Sequence, residues 1–162
     1  MKDNMDALVR TIDSLIEPDN HPLANLANAA AAIYTSMERV NWVGFYLMDS
    51  GALWLGPFQG KPACVRIEVG KGVCGTAFKK NALIIVPDVH AFPGHIACDS
   101  ASRSEIVLPL RSDNRPIGVL DIDSPFPGRF TEAEGDALTA IAGILSERCD
   151  LSRLSYDLRP AP

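Results

Sequence analysis

At Asn41 the apolar pattern of this chain changes period, and the change divides a helical N-terminal part from a sheet-forming remainder. Before it, Leu8, Val9, Ile12, Leu15 and Ile16 recur at helical spacing between Met5 and Glu17, and Pro18 ends the pattern. Asn20-His21-Pro22 then reads as an N-cap with a first-turn proline, opening a second helix through the alanine-rich stretch to about Met37. From Asn41 to Met48 aromatic and β-branched residues replace alanine. Asp49-Ser50-Gly51 turns the chain before Ala52 to Phe58, which predicts a β-hairpin.

Residues 64 to 69 suit a third strand, Gly70-Lys-Gly-Val-Cys-Gly opens a short helix ending near Lys80, and Leu83 to Val86 is a short strand. Pro87 to about Arg103 has no period and reads as a long irregular loop, a length usually reserved for function or disorder. Glu105 to Leu110 and Pro116 to Asp123 form a second hairpin. Thr131 and Glu134 then make a capping box for a last helix to about Cys149. The order predicts an α+β fold: a single domain over residues 1–152, with a mostly antiparallel six-stranded sheet and helices packed on one face. Residues 153–162 are expected to be a flexible tail.

Composition narrows the classes of function. A length of 162 residues suits one domain, and 47% apolar with 22% charged residues is globular. A net charge of −5 with scattered Lys and Arg leaves no basic stripe, so nucleic acid is not an expected partner. No apolar run approaches the ~20 residues that span a bilayer, and the N-terminus has no export pattern. The expected compartment is the cytoplasm. There, Cys64, Cys74, Cys98 and Cys149 are to be read as buried residues, metal ligands or reactive thiols rather than structural disulfides.

Strand alternation assigns side chains to faces. On the first strand Val43, Phe45 and Leu47 suit the core, leaving Trp42, Gly44 and Tyr46 on the other face, where a glycine between two aromatics makes room for a ligand. On the last strand Ile117, Val119, Asp121 and Asp123 share a face opposite Gly118, Leu120 and Ile122. Hairpin pairing brings Glu105 beside the two aspartates at one end of the sheet. Mutual repulsion there should raise at least one carboxyl pKa, and a protonated acid can donate a proton. As plain packing aromatics and solvated strand ends, the same residues need no function.

Cys149 aligns with Leu138, Ile141, Ala142 and Leu145 and reads as core. Cys64 and Cys74 are equally compatible with burial and with chemistry. Cys98, in the irregular loop Gly94-His-Ile-Ala-Cys-Asp-Ser, is the best nucleophile candidate, because loop amides can lower a thiol pKa. Cys64, Cys74, Cys98 and His90 or His95 could in principle bind zinc. Yet no Cys-x-x-Cys or close His pair is present, so no metal is expected.

Six fragments in order carry a resemblance: Asn41-Trp-Val-Gly-Phe-Tyr, Leu55-Gly-Pro-Phe-Gln-Gly-Lys-Pro-Ala-Cys, Gly70-Lys-Gly-Val-Cys-Gly, His95-Ile-Ala-Cys-Asp, Ser104-Glu-Ile-Val and Gly118-Val-Leu-Asp-Ile-Asp-Ser-Pro. From about residue 5 to 150 the chain resembles the free methionine-(R)-sulfoxide reductases, GAF-domain enzymes. The resemblance implies that Cys98 is the catalytic cysteine, left as a sulfenic acid when methionine is released. It further implies that Cys64 resolves it as a disulfide, and that Cys74 takes part in alternative resolution or a disulfide relay. Glu105, Asp121 and Asp123 are implied to bind and polarise the sulfoxide and contact the substrate amine, with Trp42 and Tyr46 around the S-methyl group. No bound cofactor is implied. Thioredoxin, or dithiothreitol in vitro, is the external reductant, and a homodimer is expected. The competing expectations are a GAF-type ligand sensor without chemistry and a thiol switch acting on a protein partner.

Overall fold

The predicted amphipathic stripe folds as α1 (Lys2–Leu15), and the alanine-rich segment as α2 (Pro22–Ser36). His21 caps α2, its Nδ1 accepting a hydrogen bond from the Leu23 N–H, and Pro22 occupies the first turn, where no amide donor is needed. The computed structural model describes residues 2–94, 96 and 100–151. The expected C-terminal tail lies outside the described residues.

After α2 come β1 (Trp42–Asp49), β2 (Ala52–Gly60), β3 (Arg66–Glu68), α3 (Gly72–Lys80), β4 (Ile84–Val86), a 3-10 turn (Val89–Ala91), β5 (Ser104–Ser112), β6 (Arg115–Ser124) and α4 (Glu132–Arg148). The strands form one sheet in the order β3-β2-β1-β6-β5-β4, antiparallel at every step. The capping box predicted for α4 is present: Thr131 Oγ1 accepts from the Glu134 N–H while the Glu134 carboxylate accepts from the Thr131 N–H. Arg129 adds a 2.7 Å ion pair to Glu134. Burial works to raise the Glu134 pKa, but these bonds hold it below its ordinary value.

The three long helices cover one face, as expected. Leu8, Ile12, Leu26, Ile33, Leu138 and Leu145 pack on Val43, Phe45, Leu47, Ile106, Leu108, Leu120 and Ile122 of the sheet. Each fully buried side chain of this size contributes about 1.5–3 kcal/mol. Cys149 belongs to this core, and its thiol pKa is raised by burial. The short helix α3 is different: its Val73, Cys74, Ala77 and Phe78 pack on the opposite face, against Trp42, Tyr46, Val107 and Val119. That face carries the candidate chemistry.

The predicted strand faces hold except at Ile117, which packs toward the long helices rather than sharing a face with Val119. The cause is a register shift. Leu110 pairs with Gly118 and Arg111 with Pro116, so Ile117 is the extra residue of a bulge and its alternation is reset. No helix of the described residues is long and apolar enough to cross a membrane.

Candidate active site

Register assembles the acids. Glu105 pairs with Asp123 across the β5–β6 ladder, Val107 with Asp121, and β1 places Trp42 opposite Asp123 and Gly44 opposite Asp121. Side chains directly opposite one another share a face. The three carboxylates predicted to gather therefore do so, beneath the N-terminal turn of α3. They line a small cavity of about 30 Å³ together with Tyr46, Ile67, Lys71, Gly72, Val73, Cys74, Ile96 and Ser102.

Burial governs the electrostatics here. Glu105 is 7% exposed and Asp121 6% exposed. The Glu105 pKa is pushed well above the usual carboxylate range, first by loss of solvent and then by the charges of Asp121 and Asp123. Asp121 rises to about 6, again through burial, although hydrogen bonds with Cys74 and Glu105 pull the other way. Raised carboxyl pKa values were expected from repulsion; desolvation is the larger cause. Both carboxyls therefore hold a proton to higher pH than an exposed carboxylate does, in a buried site.

Cys74 occupies the first turn of α3 and is buried, with its thiol 3.9 Å from Glu105 Oε1. Burial, followed by the charges of Asp121 and Glu105, drives its pKa well above that of a free cysteine. This thiol is thus held protonated, the opposite of an activated nucleophile. Asp121 Oδ1 is buried with no hydrogen-bond partner of its own.

Tyr46 lines the cavity, and its hydroxyl donates to the Cys64 carbonyl at 2.9 Å. Trp42 is only 2% exposed, stacks on Phe58 with centroids 5.4 Å apart and lies 6.0 Å from the Tyr46 ring. Its Nε1 donates to the Lys61 carbonyl at 3.1 Å. The room expected above Gly44 is filled by the Trp42 ring itself. Trp42 therefore backs Tyr46 and holds the 61–64 segment rather than lining the cavity.

Cys64 is half-buried and disulfide-bonded, whereas Cys74 and Cys149 carry free thiols. Cys98 lies outside the described residues. The sequence marks the helix opened by Gly70-Lys-Gly-Val-Cys-Gly and its Cys74, but not Lys71, Gly72 and Val73 as cavity-lining residues. Gly72 adopts φ +60°, and Gly75 approaches the Glu68 carbonyl so closely that a Cβ would overlap it. These glycines let the start of the helix close in on the Glu68–Gly70 backbone and on Ile96. Ser102 and Ile67, also unforeseen, reach the cavity from distant segments and leave no local signal.

The GAF domain family model matches residues 21–148. A free methionine-R-sulfoxide reductase of Escherichia coli (strain K12) is 51% identical over 140 residues, 86% of this chain and 85% of that protein. The free methionine-R-sulfoxide reductase of Saccharomyces cerevisiae is 39% identical over 153 residues, 90% of this chain and 85% of that protein. The X-ray structure of the enzyme of that name from Neisseria meningitidis, in complex with its substrate, superposes with a TM-score of 0.86 at 47% identity. It covers 93% of this chain and 90% of that one.

Proposed function

This chain belongs to the free methionine-R-sulfoxide reductases of the GAF-domain family, and we propose that it reduces the free R sulfoxide by a thiol mechanism run from Cys98 and the acid cluster. The observation that carries the reading is the buried group of Glu105 and Asp121, protonatable near neutrality, on the sheet face beside a disulfide-bonded Cys64. A sulfoxide oxygen leaves sulfur only when protonated, and an acid kept neutral at pH 7 supplies that proton.

In this mechanism the Cys98 thiolate attacks the sulfoxide sulfur while the cluster protonates the oxygen. The hydroxyl then passes from the methionine sulfur to the Cys98 sulfur as the S–S bond made by the attack breaks, so that methionine departs with the electron pair and Cys98 is left as a sulfenic acid. The Cys64 thiol then condenses with it, releasing water and forming a disulfide. A dithiol reductant, thioredoxin in the cell or dithiothreitol in vitro, exchanges with that disulfide and restores both thiols. No bound cofactor is required. The free thiols of Cys74 and Cys149 support pairing of Cys64 with Cys98. The raised pKa of Cys74 supports a subordinate role for it in resolution.

Asp123, with the cluster, receives the substrate ammonium, and Tyr46 borders the methyl group with Trp42 behind it. The carboxylate is received at the start of α3, where Gly72 and Val73 line the cavity and no side chain caps the helix. Peptide-bound methionine sulfoxide lacks both termini and would leave these groups unpaired. We further propose a cytoplasmic homodimer. The groove between α1 and α4, with Val9, Ala133, Ala137 and Ala140 along it, supports a helical contact between copies.

The test is methionine release from each diastereomer of free methionine sulfoxide with dithiothreitol, and then with thioredoxin and its reductase. Turnover of the R form alone is expected. No release from the R form, with ligand binding intact, would return the chain to a sensing role.

A further inference from the structure

Cys74, Glu105 and Asp121 come from three separate elements, α3, β5 and β6, yet each brings one donor atom near those of the other two. The sulfur and the two carboxylate oxygens lie within 4.8 Å of one another. Zinc bonded to one sulfur and two oxygens at its usual lengths holds such donors about 3.4–3.6 Å apart, so shifts of about 1 Å close the set. Asp121 lines the cavity, and although its carboxylate hydrogen-bonds with Cys74 and Glu105, its Oδ1 is buried without a hydrogen-bond partner. An orphaned acceptor in that position calls for a ligand. Among the described residues no ion pair reaches Glu105 or Asp121.

The donor chemistry selects the ion. Thiolate with two carboxylates suits a borderline divalent cation such as Zn²⁺ or Co²⁺, whereas Mg²⁺ and Ca²⁺ prefer oxygen alone. Three protein donors leave the fourth position open toward the cavity, unlike the closed four-ligand structural site that the cysteine spacing argued against. We propose that Cys74, Glu105 and Asp121 form a three-donor site for a borderline divalent cation, and that its occupancy blocks the substrate cavity. Binding releases the thiol proton, and any proton held by the carboxyls, to solvent; no electrons move. The blocking effect rests on the function proposed above, since it arises because metal and substrate ammonium require the same carboxylates. Binding itself does not.

The test is a Co²⁺ titration, followed by absorbance, of the full chain without reductant and with Cys64 in its disulfide, so that Cys74 is the thiol at the cavity. One Co²⁺ per chain with a near-ultraviolet thiolate-to-cobalt band is expected, displaced by Zn²⁺. Cys74→Ser should lose the band, and Asp121→Asn should weaken binding by more than about tenfold. Free methionine sulfoxide should raise the apparent Co²⁺ Kd. Absence of the band, or a band retained in folded Cys74→Ser, overturns the site. Should that variant fail to fold, unchanged affinity in Asp121→Asn overturns it instead. Co²⁺ affinity indifferent to methionine sulfoxide overturns the blocking effect. Cobalt binding without reductase turnover would leave the site standing and remove the proposed function, and turnover without the band would do the reverse.

Discussion

The Tyr46 hydroxyl donates a 2.9 Å hydrogen bond to the carbonyl of Cys64, tying a cavity-lining residue of β1 to the backbone of a cysteine 18 positions away. Trp42, two pleat repeats earlier on the same strand face, holds Lys61 in the same way. Two side chains of one strand face thus suspend the short segment that presents Cys64.

Tyr46→Phe removes one of these ties and leaves a carbonyl short of a donor, at a stability cost of about 1–3 kcal/mol. Formation of the Cys64 disulfide after substrate addition should slow several-fold, with a sulfenic acid accumulating that dimedone traps, while KM changes less than kcat. Disulfide formation at the wild-type rate would reduce Tyr46 to a packing residue.

Cys98→Ser should abolish turnover even with dithiothreitol, since no other thiol in the mechanism attacks sulfur. Cys64→Ser should lose mainly thioredoxin-supported turnover, because a small thiol can reduce the sulfenic acid directly. Parallel assays with the two reductants check both, and equal losses in both variants would contradict the division of roles.

Asp121→Asn separates function from stability. The folded pKa of about 6 lies above the ordinary 3.8. The native protein therefore holds a proton that the unfolded chain has released, so stability falls as pH rises from about 4 through about 6 and stays lower above. Removing the carboxylate should stabilise the protein at pH 8 by on the order of 1–3 kcal/mol. That is a rise in Tm of about 2–4 °C per kcal/mol for a chain this long, shrinking toward pH 4. Turnover should fall by about 100-fold or more. A stability gain independent of pH would show that its charge is not the cause.

Gly44→Ala places a methyl where the Trp42 ring and Phe58 Cβ already lie. Displacing them should cost about 1–3 kcal/mol and shift the tryptophan fluorescence. An unchanged melt and emission spectrum would mean that the ring is not seated over the glycine.

What the residues determine by themselves is the element order, the face of each strand and the caps. The periods of Leu8–Ile16 and Val43–Leu47, and the Thr131–Glu134 box, are local consequences of backbone geometry. Even the union of Glu105 with Asp121 and Asp123 follows from one hairpin, since a turn sets the register of the strands it joins. Tertiary structure alone decided which face α3 covers, because a short helix between strands can be laid on either. That choice placed Cys74 against Glu105 and Asp121 and buried all three, and burial, more than repulsion, set their protonation. It also turned Trp42 over Gly44 and hung Cys64 from Tyr46. Desolvation and long-range contacts depend on what the rest of the chain packs around a residue, and no local pattern encodes that.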